Sequence, residues 1–230
     1  MSRISKRDHS RAFPIAIVCA AMVFALAGAL DTAPESPMIW LQYPLFASLA
    51  WGLAKMRGTG DWRPAGTAAY IALSWSLGMA VELTLTVDGT GIGGVHRDTA
   101  ASFILAQGDY LPLAAVFCLV HRYMTCGVVQ VLWLAAGAAL TEGLVFTDSL
   151  RAPVLALDIV AAVFTGAYLG AIYWIYLALP LGILGVPWAG RKRNVLVLLA
   201  TGFAAAFAVR VFWGLVYAPA VSALFGLAPQ

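Results

Sequence analysis

An all-α, polytopic transmembrane helix bundle is the fold class this sequence predicts, and three observations predict it. Of its 230 residues, 62% are hydrophobic and 11% charged. A soluble domain is about a quarter charged, so most of this apolar surface has to face lipid or other helices. The apolar residues also come in stretches of the roughly 20 residues that a bilayer crossing needs. Lys and Arg fall in short clusters between those stretches, so the net charge of +3 describes loops and not a nucleic-acid-binding face.

Taken in order, residues 1–11 form a basic tail, and spans are expected at residues 12–30, 38–54, 65–86, 100–120 and 127–146. Residues 152–190 are apolar throughout and admit one helix or two. Short cytoplasmic loops collect Lys and Arg, and this decides the matter. With one helix there, Arg3, Lys6, Arg7, Arg11, Lys55, Arg57, Arg63, Arg122, Arg191, Lys192 and Arg193 share the inner side. Only Arg97 and Arg151 remain outside. The sixth span is therefore placed at residues 153–177, an interfacial turn with Pro180 and Pro187 follows, and the seventh span covers residues 194–217. Residues 12–217 are expected to form one seven-span domain in a cell inner membrane. Its N-terminus is cytoplasmic, and residues 218–230 form an extracytoplasmic tail. The basic lead and Ala27-Gly28-Ala29 also fit a cleaved signal peptide, which would leave six spans.

Five strongly ionisable side chains fall inside these spans: Glu82, Asp109, Glu142, Asp158 and Arg210. Each costs at least about 2.5–3.5 kcal/mol at the bilayer centre, so such groups face the bundle interior or a wet cavity and mark function. Glu82 and Glu142 are expected near the outer ends of their spans. Asp158 and Arg210 are placed about two turns below theirs, and Asp109 nearer mid-span. Their neighbours agree. Arg210 shares a stripe with Gly202, Ala206 and Gly214, and Asp158 with Ala162, Gly166 and Gly170; Glu82 stands above Gly78 and Ser74, and Glu142 above Ala138. Small residues mark helix-facing surfaces in membranes, which turns all five groups toward one extracytoplasmic pocket. Four carboxylates and one guanidinium sum to −3 when ionised. A poorly hydrated site cannot hold that charge without bound protons, a cation or entering water.

Other signals are weaker. His9 and His121 read as interfacial, and His96 sits in a glycine-rich outer connector that lacks the Gly-Lys-Ser/Thr of a phosphate-binding loop. Trp40, Tyr43, Trp62, Trp174, Tyr176, Trp188, Trp213 and Tyr217 fit an interfacial belt, with Trp75 and Trp133 deeper. Cys19, Cys118 and Cys126 show no metal or disulfide spacing. No cofactor is expected, because one histidine near carboxylates does not make a zinc, haem or iron–sulfur site. Glu82 and Glu142 each precede an aspartate by six, a faint echo of a duplicated hairpin.

Three functions fit. The first is a membrane enzyme acting on a lipid or isoprenoid-like substrate, with Glu82, Glu142 and Asp158 as acids and bases, Arg210 holding a carboxylate or substrate oxygen and Asp109 tuning the floor. The second is a small proton- or cation-coupled transporter. Against it, the inner span halves offer little polar material beyond Ser74, Gln130 and Thr165. The third is an accessory subunit whose polar faces meet a membrane-complex partner.

Overall fold

The computed structural model describes residues 64–87, 99–186 and 190–226, and every regular element among them is helical. The basic N-terminal tail, the first two expected spans, most of the glycine-rich connector with His96, and residues 227–230 lie outside the described residues. The long elements are α1 (Pro64–Val87), α2 (Thr99–Tyr123) and α3 (Val128–Thr141), which runs into a π-helical turn at Glu142–Phe146. A short α4 (Arg151–Leu155) leads to α5 (Ile159–Leu177) and α6 (Leu179–Ile183). Helix α7 (Val195–Phe212) passes through a second π-helical turn, Trp213–Tyr217, into α8 (Ala218–Phe225). Among the described residues, four stretches are long and apolar enough to cross a membrane: Phe103–Tyr123, Val128–Phe146, Ile159–Leu177 and Val195–Phe225. Helix α1, with 24 residues, reaches about 36 Å and matches them in length. This is the architecture of a helical membrane protein.

Two expected elements need correcting. The sixth span is not one helix from residue 153, because the chain breaks between α4 and α5 at residues 156–158. There Leu157 has φ +57°, a backbone region costly for a bulky side chain. Asp158 then caps α5, its Oδ1 accepting from the Ala161 amide at 3.0 Å. The last span is longer than its sequence limits, continuing as helix to residue 225.

Helix α3 packs most extensively on α7, and glycine makes the contact possible. A methyl on Gly202 would overlap the Leu134 carbonyl, and one on Gly137 would overlap the Leu199 carbonyl. Backbones therefore meet directly, which is how helices associate where lipid removes the hydrophobic drive. Thr141 seals the upper end of this seam, donating from Oγ1 to the Phe203 carbonyl at 2.9 Å.

At the other end, the α2–α3 turn receives the chain entering α7. The Arg191 amide donates to the Thr125 carbonyl at 3.2 Å, and Gln130 Oε1 accepts from the amides of Gly127 and Gly190 at 3.0 and 3.1 Å. Arg122 and the Arg191–Arg193 cluster thus share one end of the bundle, as the charge distribution required. Helix α5 stops above that end because Pro180 has no N–H for the Tyr176 carbonyl. Ser74 donates to that carbonyl instead, and Tyr70 donates to the Leu177 carbonyl at 2.8 Å.

Gly202→Val should lower stability by about 1–3 kcal/mol through overpacking of the α3–α7 seam. Gly170→Val should not, since nothing lies within 4 Å of a Cβ built there. Thermal unfolding in mild detergent separates the two.

Candidate functional site

The five long helices bring a polar cluster together inside the bundle. Glu82 on α1 is 0% exposed and Asp109 on α2 is 1% exposed. Arg210 on α7 lies between two carboxylates: its Nε is 3.2 Å from Asp109 Oδ1, and its Nη2 is 2.6 Å from Glu142 Oε2. The Asp109 contact is an ion pair without hydrogen-bond alignment, since neither atom makes a proper hydrogen bond. Tyr173 of α5 donates to the same Glu142 oxygen at 3.2 Å. Tyr110, the residue after Asp109, donates to Glu82 Oε2 at 3.0 Å.

Local structure explains why these side chains meet. Glu142 opens the first π-helical turn, and Arg210 comes three residues before the second. An extra residue in a turn rotates the following face and re-aims its side chains, and such turns recur at functional positions. The second turn is tied to α2: Trp213 Nε1 donates to the Leu105 carbonyl and the Tyr217 hydroxyl to the Ile104 carbonyl, both at 2.8 Å. Those two bonds fix the register of Arg210 against Asp109. Above α1, the Tyr110 ring lies flush on Gly78, where a Cβ would collide with it. Tyr176 stacks edge-on against Tyr110, with ring centroids 5.2 Å apart, and tilts against Tyr173 at 5.3 Å.

Depth follows from helix rise. Glu142 and Arg210 each lie 14 or 15 residues above the basic end of their helices, about 21–22 Å at 1.5 Å per residue. In a hydrocarbon core of about 30 Å, that is the half away from the basic end.

Of the five residues expected in the pocket, Asp109, Glu142 and Arg210 touch, and Glu82 is buried nearby on α1, bonded to the Tyr110 hydroxyl. Asp158 does not join. It is exposed at the α5 N-terminus, 15 residues from Tyr173, or about 22 Å along the helix. The stripe Ala162, Gly166, Gly170 is half-buried and borders an open groove, and Asp158, one turn before it, caps the helix, so the periodicity misplaced the acid. The touching trio of Asp109, Glu142 and Arg210 sums to −1 when ionised.

Tyr110, Tyr173 and Tyr176 are site residues the sequence reading missed. Tyr176 had been assigned to the interfacial belt, yet it is fully buried. Trp75 and Trp133 point outward and do not line a pocket; Trp75 instead donates to Gln107 at 2.7 Å. His121 is buried rather than interfacial, with its ring 5.0 Å from that of Tyr70. Among the described residues no three histidine, cysteine or carboxylate side chains gather to hold a metal. Cys118 and Cys126 are buried free thiols. In the α2–α3 turn, burial pushes the Cys126 thiol above its ordinary range, with Arg193 opposing, which leaves little thiolate for nucleophilic chemistry.

The chain matches no protein-family model, no curated protein and no solved structure.

Arg210→Met leaves two carboxylates facing each other in the bundle and should cost about 3–5 kcal/mol of stability. The exposed Asp148–Arg151 pair, with side chains 56% and 50% accessible, is the control: Arg151→Met should change stability by less than about 1 kcal/mol.

Proposed function

We propose that this chain is a small proton- or cation-coupled transporter of the inner membrane, built on seven spans with a cytoplasmic N-terminus. The observation that carries the proposal is one guanidinium shared by two carboxylates inside the bundle. Asp109 and Glu142 share Arg210, so that trio carries −1 when ionised and is neutral only when one proton or one cationic charge joins it. A group held at that balance loads and unloads charge as access alternates between the two sides, which is the use transporters make of intramembrane acids. Arg210 holds Asp109 and Glu142 in place, and Tyr110 offers Glu82 a hydroxyl that stays bonded whether or not the carboxyl carries a proton. The burial of these groups within the isolated chain favours a self-contained site over one completed by a partner subunit. The gathering of Arg122 and Arg191–Arg193 at one end supports the orientation.

A second reading, a membrane enzyme acting on a lipid or isoprenoid-like substrate, is favoured by one feature. An open apolar groove of about 130 Å³, lined by Ala136, Ala139, Leu140, Leu150, Gly166 and Gly170, lies beside Gly143, the residue after Glu142. Its size suits a few methylenes of an acyl or prenyl chain.

Purified protein in phosphatidylcholine–phosphatidylglycerol vesicles holding a pH-sensitive dye tests the proposal. The wild type should move protons, or Na⁺ in exchange for them, when a pH or Na⁺ gradient is imposed. Glu82→Gln and Asp109→Asn should each lower the rate at least about tenfold, the scale of 1.4 kcal/mol in a barrier. Equal dye responses in protein-containing and empty vesicles under both gradients would overturn it. The enzyme reading makes the opposite forecast for Gly170→Leu, which fills the groove: turnover of a prenyl or acyl substrate falls while ion movement is unchanged.

A further inference from the structure

The two carboxylates that share Arg210 are not held alike. On Glu142 a single oxygen, Oε2, receives Arg210 Nη2 at 2.6 Å and the Tyr173 hydroxyl at 3.2 Å. Both donors favour the ionised form, because a carboxylate accepts more strongly than a neutral acid. On Asp109, Oδ1 lies 3.2 Å from Arg210 Nε, yet neither atom makes an aligned hydrogen bond. Asp109 is also the more enclosed of the two, with 2% of its side chain accessible against 13% for Glu142. The cost of burying an ionised carboxylate is therefore offset less completely at Asp109 than at Glu142.

We infer that the ion this site couples to is a proton and that Asp109 carries it, while Glu142 stays ionised as the partner of Arg210. This deepens the transporter proposal, on which it rests, by naming the ion and its carrier.

A metal cation fits the trio poorly. The guanidinium already lies between the two carboxylates, so a second cation there would sit against a like charge. Hard cations also take several oxygen ligands, and among the described residues no three carboxylate, histidine or cysteine side chains gather to hold one. A proton needs no such room, since it adds to an oxygen already in place. The groups facing Asp109 are Arg210 from α7, Glu142 from the π-helical turn after α3, Tyr173 and Tyr176 from α5, and Tyr110 on its own helix. The Tyr110 hydroxyl is given to Glu82 of α1, and the Tyr217 ring covers the neighbouring Gly108. Arg210 is thus the one cation facing this acid among the described residues.

The step is a proton transfer with no redox change. On loading, a hydronium ion gives its proton to an Asp109 carboxylate oxygen and leaves as water. The trio passes from −1 to neutral, with a carboxylic acid beside an intact Glu142–Arg210 pair. On unloading, the O–H bond breaks, its electron pair stays with Asp109 and the proton returns to water. Asp109 is 1% exposed, so both exchanges take place in conformations that open the site to one side or the other.

The test uses the full chain, first in the vesicles described above. A pH gradient alone should move protons, and a Na⁺ gradient alone should move nothing. Asp109→Asn should slow proton movement at least about tenfold. Glu142→Gln should still run, with its pH profile moved toward acid by about 1–3 units, because the neighbouring negative charge that favours protonation of Asp109 is gone. Asp158→Asn, which keeps a side chain able to cap α5, should change neither rate nor profile. Infrared difference spectra of the purified protein across the same pH range need no substitution. The high-frequency carbonyl band of an enclosed carboxylic acid should shift when aspartate is isotope-labelled at its side-chain carboxyl carbon, and should not shift when glutamate is. The same band should vanish in Asp109→Asn. A band that follows the glutamate label overturns the inference, as does flux driven by Na⁺ alone. So does Glu142→Gln abolishing flux while Asp109→Asn merely shifts the profile, and each of these leaves the transporter reading standing. If the wild type moves no ions under either gradient, that reading fails and takes the inference with it.

Discussion

A guanidinium held between two carboxylates inside the helix bundle is the interaction on which the rest of this structure depends. Arg210 contacts Asp109 and Glu142 at a depth where an unpaired charge is costly. The three groups come from α2, α7 and the π-helical turn after α3, so they can be satisfied only when those elements are assembled. Buried ion pairs are weak contributors to net stability, because desolvation consumes most of their attraction. What they supply is a penalty on every arrangement that separates them. In lipid, where apolar surfaces have little preference for one another, that penalty selects one helix arrangement from many.

The close helix contacts serve the same constraint. Gly137 and Gly202 let α3 and α7 touch backbone to backbone, which brings Glu142 and Arg210 within side-chain reach. The two π-helical turns begin within a few residues of these groups, and Trp213 and Tyr217 lock the second turn onto α2. Three tyrosines then fill the space around the charges. Their rings exclude water, and the hydroxyls of Tyr110 and Tyr173 point back into the cluster. A charged site is thereby kept polar at its centre and apolar at its boundary.

Much of this was legible in the sequence, for a physical reason. Intramembrane charge is rare enough that Glu82, Asp109, Glu142 and Arg210 stand out against 62% hydrophobic residues. Small-residue stripes indicated which way they face, and Gly202 and Ala206 are indeed buried. Asp158 carried the same signature but sits at a helix start, because the break at Leu157 depends on a backbone conformation that no composition rule marks. The tyrosines were hidden by their amphipathic character: a Tyr at an interface and a Tyr inside a polar cluster have the same local sequence. His121 was concealed in the same way. Its neighbour Arg122 does reach the surface, and one helical position, about 100° of rotation, separates an exposed side chain from an enclosed one.

The account stands or falls on whether Arg210 is energetically coupled to both acids. A double-mutant cycle on unfolding in detergent measures this directly, pairing Arg210→Met with Asp109→Asn and separately with Glu142→Gln. Residues in one ion-pair network show interaction energies of about 0.5–3 kcal/mol, and the account predicts a value in the upper part of that range for both pairs. Additivity within about 0.3–0.5 kcal/mol in both cycles would mean that the charges do not share a site, and the functional proposals built on it would fall.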